Sequence, residues 1–342
     1  MINNQLSSTG VQILLDLQLQ EWAQAKDNYA ALDRIEVKEV LLNGFPIKVQ
    51  FNPARIVSSA AKVDAKSIRE RKCFLCGANR PPVQKGIEYI GKAGVYEILV
   101  NPFPIFPKHL TIPDKKHVNQ TIGEAENVPG RYEDMLDLAA VIDDYVLFYN
   151  GPKCGASAPD HMHFQAGNKG FLPVEMNFKS LERELLYKEE GVEVSSLESY
   201  MRGALLIEAS CKEKAVEQFN RIYSKVAVKE GEWEPMLNLL TWSVKEDAGV
   251  ASAKWITLLF IREKHRSSHY FAQGDANILL SPASVDLGGV FITPLEKDFR
   301  KIGVKEIGEI LDEIAVSGEV MDMIKNSLRV QPAVSVGIMS EK

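Results

Sequence analysis

Apolar residues recur at helical spacing in four stretches of the chain, and elsewhere they alternate with polar residues or gather in short β-branched blocks. Val11, Leu14, Leu15, Leu19 and Trp22 place an amphipathic helix within residues 11–32, and further helices are predicted at Tyr132–Asp143, 197–226 and 305–328. Between Val37 and Gln50 the pattern turns to short strand-like runs broken by Asn43-Gly44, a tight hairpin signal. Strands are also predicted at Tyr96–Val100 and Leu110–Ile112, on either side of a proline-rich turn, and at Tyr145–Tyr149, Met236–Val244, Trp255–Ile261 and Gly288–Ile292. The second half repeats the mixed texture of the first. The expected fold is α+β with mostly antiparallel sheet and flanking helices. Two halves, 1–190 and 191–342, form one compact unit, with the acidic stretch 186–199 as the connection between them.

Composition narrows the function classes. The 342 residues are 45% hydrophobic and 25% charged, the balance of an ordinary globular enzyme. A net charge of -6 and a pI near 5.7 give no general attraction to nucleic acid or to an anionic membrane, so any phosphate bound here must meet local positive charge. The first residues lack a signal-peptide pattern and no apolar run approaches bilayer length, so the cytoplasm is the expected compartment. Four cysteines, two of them in Cys73-x-x-Cys76, are poor material for a disulfide framework and point to metal or redox chemistry.

His161-Met162-His163-Phe164-Gln165-Ala166 alternates polar and apolar residues. In a strand the two histidines and the glutamine then share one face while Met162 and Phe164 enter the core. A lone His-x-His is most simply a half-exposed strand, but its surroundings add to it. The segment Asn150–Gln165 resembles the active-site stretch of the galactose-1-phosphate uridylyltransferase branch of the histidine-triad superfamily, with its asparagine, small-residue loop, Ser-x-Pro and His-x-His-x-Gln. Pro107–His117 resembles the Pro-x-His and Pro-x-x-x-His stretch of that superfamily, and Cys73-Phe74-Leu75-Cys76 resembles its metal-binding Cys-x-x-Cys. The continuation Phe171–Glu175, together with Asn238–Thr241, is most similar to the GDP-hexose phosphorylases, and diadenosine tetraphosphate phosphorylases share the His-x-His-x-Gln. One departure is that Asp160 stands between the proline and the first histidine, where the uridylyltransferases have none.

The resemblance implies a nucleotidyltransferase or phosphorylase acting on a nucleotide sugar or dinucleotide, with phosphate or a sugar 1-phosphate as acceptor. It makes His163 the nucleophile, and the chemistry agrees, because a neutral imidazole attacks phosphorus and departs again readily. Gln165 is expected to donate its amide hydrogen to a non-bridging phosphate oxygen; the histidine-triad hydrolases usually carry histidine there, so hydrolysis is the secondary reading. Ser157 is either part of a phosphate cradle or of a plain turn. Asn150 and Gly151 match a region that flanks the nucleotide phosphates, Asn101 is placed at a ribose pocket, and Arg55 is either a phosphate or base contact or a solvated strand-end charge. Lys264 and Arg266 are candidates to reach substrate phosphates, set against the ordinary solvated cluster.

Cys73, Cys76, His117 and His161 match the zinc positions of the metal-containing members, a Cys2His2 set suited to a closed tetrahedral Zn²⁺; the alternative is two thiols that simply pack. His109 is left out of that set and given a structural hydrogen bond. A third reading, a zinc-dependent nucleic-acid-binding protein, lacks the basic, aromatic-rich stripe such a surface needs.

Overall fold

The computed structural model describes residues 6–56, 63–124, 130–198, 200–201, 203–245 and 253–329. Helix α1 (Ser8–Glu21) begins where the Ser7 hydroxyl accepts the Gly10 amide, and α2 (Ala23–Ala31) follows after a break at Trp22. The predicted single helix is therefore two. The hairpin of β1 (Glu36–Leu42) and β2 (Phe45–Phe51) turns at Asn43 (φ 52°) and Gly44 (φ 82°), the two left-handed residues that a two-residue hairpin loop requires.

Two runs of elements then follow the same plan. The first comprises β3 (Gly86–Ile90), β4 (Val95–Val100), β5 (His109–Pro113), α3 (Tyr132–Val141), β6 (Tyr145–Asn150) and β7 (His163–Asn168). The second comprises β8 (Arg183–Glu189), β9 (Val192–Leu197), β10 (Ala204–Ala209), α4 (Lys212–Tyr223), β11 (Leu237–Lys245) and β12 (Ala253–Ile261). Their strands order as 3-4-5-7-6 and 8-9-10-12-11, and β6 pairs antiparallel with β11. The two α+β halves thereby join into one ten-stranded sheet about an approximate two-fold axis.

Three layers result. One face of the sheet packs on α1, α3, α4 and the last helix, Gly318–Arg329, through Leu147, Phe164, Leu239 and Leu259. The other face carries Phe148, Leu240, Trp242 and Leu258 and is covered by a small sheet, in which β13 (Val290–Thr293) runs parallel to β2, together with the helix Val304–Ile314.

Three sequence expectations change here. Residues 197–226 are not one helix, because Ala204–Ala209 is strand β10 and only Lys212–Tyr223 is helical. Leu205 and Ile207 enter one core while Leu206 enters the other, and a strand buried on both faces has no polar side to reveal it. The helix expected at 305–328 is broken at Ala315, which bridges to Arg262. Residues 186–197 of the acidic stretch lie in the β8–β9 edge hairpin, turning at Gly191, and the chain instead passes between the two five-stranded groups through residues 169–182. Among the described residues no helix is long and apolar enough to cross a membrane.

Candidate active site

Strand β7 lies between β5 and β6, where the His163 end of the strand faces Pro113. Proline has no N–H to give. The backbone of His163 is closed instead by the buried Gln120 side chain, whose Oε1 accepts the His163 amide (2.8 Å) and whose Nε2 donates to the His163 carbonyl (3.0 Å) and to that of Asn150 (2.9 Å). This clamp fixes the start of the strand.

The His163 ring is held in one tautomer. Its Nδ1 lies 2.8 Å from the His161 carbonyl oxygen, which can only accept, so the proton sits on Nδ1 and the lone pair on Nε2. Burial pushes the imidazole down to about 4, leaving it neutral at pH 7. A neutral imidazole with one nitrogen pinned and the other carrying a lone pair is a nucleophile ready for use.

Gln165, two residues on, is oriented by His109, the histidine set aside from the metal set. The Ile105 amide donates to His109 Nδ1 (3.2 Å), which puts the ring proton on Nε2, and Nε2 donates to Gln165 Oε1 (3.1 Å). With its oxygen taken, Gln165 is left to offer its NH2 group. Burial, aided by the nearby Arg55 charge, pushes His109 down to about 3, so this relay keeps its direction across the physiological range.

His163 and Gln165 line a cavity of about 680 Å³ between the β3–β7 group and the segment after β12. Among the described residues the charged groups on its walls are Arg55, Arg71, Arg80, Arg266 and one carboxyl, Asp286. Burial raises Asp286 to about 6, weakening even that negative charge. On a chain of net charge -6 this is a local concentration of positive charge, suited to an anion.

The other expected contacts divide between the cavity and its surroundings. Arg55 lines it with Nη1 on the Phe103 carbonyl (2.8 Å), and Asn101 lines it with its amide on the Thr111 hydroxyl (2.8 Å). Ser157 is on the wall too, in a loop where Gly155 (φ 95°) passes so close to Ala283 that a Cβ would lie 2.5 Å from the alanine's own. Only glycine fits there. The Asn150 side chain is spent on joining the halves, its Oδ1 accepting from Asn238 (2.8 Å) and from the Ser284 amide (2.8 Å) and hydroxyl (2.7 Å). Gly151 is off the cavity, with its amide on the Leu237 carbonyl (3.1 Å). Arg266 stacks on Tyr270 at 4.0 Å and lines the cavity, whereas Lys264 turns to solvent and pairs with Glu313 at 3.0 Å. The buried Arg262 separates them, its Nη2 holding the carbonyls of Lys264 (3.0 Å) and His265 (2.8 Å).

Immediately behind β7, Cys73, Cys76, His117 and His161 bring their ligand atoms within 4.8 Å of one another, a group that could hold a metal ion. His161 Nε2 donates to the Asp114 carbonyl (2.7 Å), so its Nδ1 presents a lone pair to Cys73 Sγ (3.2 Å), Cys76 Sγ (3.5 Å) and His117 Nδ1 (3.3 Å). Tetrahedral zinc with the usual Zn–N and Zn–S bond lengths has ligand–ligand edges of about 3.3–3.8 Å, so the donor set fits. Burial alone would raise the Cys73 thiol, but its interaction with the His161 ring and hydrogen bonds from the Leu75 and Cys76 amides bring it down to about 6, toward the thiolate a metal needs. Cys76 is raised by burial and by the neighbouring sulfur, a repulsion that a cation between the two relieves. Asp160, the inserted residue, holds Arg71 (2.6 Å) and lies 4.0 Å from His117 Nε2.

The doubled α+β architecture is shared with a solved enzyme structure. The structure is similar to the crystal structure of yeast Ap4A phosphorylase Apa2 (TM-score 0.52, 15% identity, covering 86% of this chain and 95% of that one). It is equally similar to the same yeast enzyme in complex with AMP (TM-score 0.53, 14% identity, covering 88% of this chain and 98% of that one). A family described as a domain of unknown function (DUF4922) matches residues 14–168, which end with β7 and include the metal-ligand group and His163. No curated protein matches the chain.

Proposed function

We propose that this chain is a nucleotidyl-transferring phosphorylase that splits a dinucleoside polyphosphate or nucleotide sugar through a nucleotidyl-His163 intermediate, with inorganic phosphate or a sugar 1-phosphate as acceptor. The carrying observation is the fixed tautomer of His163, lone pair on Nε2, on the wall of an arginine-lined cavity. The fold shared with an Ap4A phosphorylase, and with its AMP complex, supports the reading.

Nε2 attacks the α-phosphorus, an N–P bond forms, and the P–O bond to the leaving phosphate breaks with its electron pair going to that oxygen. The proton stays on Nδ1, where the His161 carbonyl steadies the imidazolium. The Gln165 amide donates to a non-bridging oxygen as charge develops there. In the second half-reaction an acceptor phosphate oxygen attacks the same phosphorus and His163 leaves with its lone pair restored. Cys73, Cys76, His117 and His161 hold a structural Zn²⁺ in this reading, and a closed four-ligand site supplies rigidity to the strand, not an open position for substrate.

The test is to incubate the protein with α-labelled dinucleotides and nucleotide sugars of different bases, with and without phosphate. Acid-labile, base-stable label mapping to His163, discharged by phosphate as nucleoside diphosphate, is expected. Release of nucleoside monophosphate in the absence of acceptor makes the enzyme a hydrolase instead.

A further inference from the structure

The Cys73–Cys76 loop is flanked by Arg71 and Arg80, and both line the cavity. Each guanidinium uses one nitrogen on a carboxylate: Arg71 Nη2 on Asp160 at 2.6 Å, and Arg80 Nη2 on Glu97. Nε and Nη1 of both are shielded from solvent and have no hydrogen-bond partner. Shielded cationic donors without an acceptor are costly, and a native chain keeps them where something else supplies the acceptors. Arg131 has the same two orphaned nitrogens but is sealed against Asp114 and does not reach the cavity, so it calls for no ligand. Arg71 also lies over the Phe74 ring at 5.0 Å, which holds its plane, and its Nη2 donates to the Ser157 carbonyl at 3.3 Å. The arginine is thereby tied to the loop beside His163.

Resting on the proposed function, we infer that Arg71 and Arg80 form an anion subsite for the phosphates beyond the one His163 attacks. The ligand class is an oligophosphate chain, the part of the substrate that leaves. Planar forks matched to phosphate oxygens suit this role better than a point charge. It follows that the loop holding the metal ligands also sets the length of phosphate chain the cavity accepts.

Titration calorimetry of the full chain with inorganic tripolyphosphate, inorganic phosphate, and AMP, GMP and UMP separates the possibilities. Arg80→Gln and Arg71→Gln should each weaken tripolyphosphate about 10- to 100-fold, as loss of charge-assisted hydrogen bonds does. The mononucleotide that binds best should change less than about 3-fold in the same variants. Arg80→Lys, which keeps the charge and the fold, should recover only part of the loss, and elemental analysis of each variant reports whether the loop is intact. Unchanged tripolyphosphate affinity with intact metal content overturns the subsite. So does an equal loss for tripolyphosphate and mononucleotide, or inorganic phosphate binding as tightly as tripolyphosphate. If the arginines bind tripolyphosphate but no mononucleotide binds at all, the subsite stands and the nucleotidyl-transfer reading falls.

Discussion

Strands β7 and β12 occupy the same place in the two halves, each between the third and fourth strands of its group, and they do opposite work. Toward the small-sheet side β7 presents His163 and Gln165 to a cavity, while β12 presents Ile256, Leu258 and Phe260 to a dry core. The polar strand needs outside help: Gln120 closes its backbone, His109 fixes Gln165, and the Cys/His group backs its first residue. The apolar strand needs only neighbours. The order of a polar strand thus depends less on the strand than on the buried polar groups that hold its side chains in one state.

The comparison breaks most sharply on substitution. His163→Gly should abolish the nucleotidyl label and lower turnover by about four orders of magnitude or more, measured in single turnover, with the fold retained. Leu258→Ala should do the reverse, leaving the label per folded molecule unchanged while costing about 2–5 kcal/mol in denaturant titration. If Leu258→Ala lowers labelling as deeply as His163→Gly, the halves are not separable in this way. Gln165→Ala should slow labelling about 10²- to 10³-fold, as loss of one preorganised donor does.

Metal removal comes next. Protein purified without chelator should contain about one zinc per chain, and Cys73→Ser should lose it and slow labelling about 10- to 100-fold without moving the label from His163. Elemental analysis and peptide mapping check both parts. His109→Ala should lower kcat about 10-fold with KM nearly unchanged, since it frees a transition-state donor to rotate and leaves ground-state contacts in place.

The smallest effect concerns the seam between halves. Glu234, ahead of β11, accepts the Tyr149 hydroxyl (2.6 Å) and the Ile122 amide (2.6 Å) of the first half, and burial raises its carboxyl to about 7. The folded chain then holds this proton more tightly than the unfolded one. Its contribution to stability is present in full below about pH 4.5 and declines as pH rises to about 7, by a few kcal/mol at most. Glu234→Gln should flatten that part of the stability curve. An unchanged slope would mean that Glu234 is already ionised in the folded protein.

What the sequence revealed follows from how local each signal is. The alternation from His163 to Ala166 and the Asn43-Gly44 turn are decided within a few residues, so β7 and the first hairpin were legible, but His161 precedes the strand and turns to the Cys/His group instead of sharing the face of His163 and Gln165. The strand β10 was not legible, because its apolar run serves two cores at once. Lys264 and Arg266 read alike in the sequence; only the Arg262 guanidinium, pulling the intervening carbonyls inward, sends one to solvent and the other to the cavity. Gln120, Arg71 and Arg80 escaped notice for the same reason, and His109 reads only as a structural hydrogen bond. Their partners lie elsewhere in the chain or in the cavity, and neither leaves a mark in local spacing.

The approximate two-fold axis through β6 and β11 has a consequence for inheritance. In a pair of identical subunits every substitution is made twice, and a surface that must serve as reaction chamber on one side must serve so on the other. Here both copies of the fold lie on one polypeptide, so each codon is free to answer to one role. The second copy carries Ile256, Leu258 and Phe260 where the first carries its polar strand, and lends His265 and Arg266 to the wall of the first copy's chamber. The exception is the seam, where Asn150, Asn238 and Ser284 hold one another across the two copies, so that a change in any one of them leaves the others short of a partner.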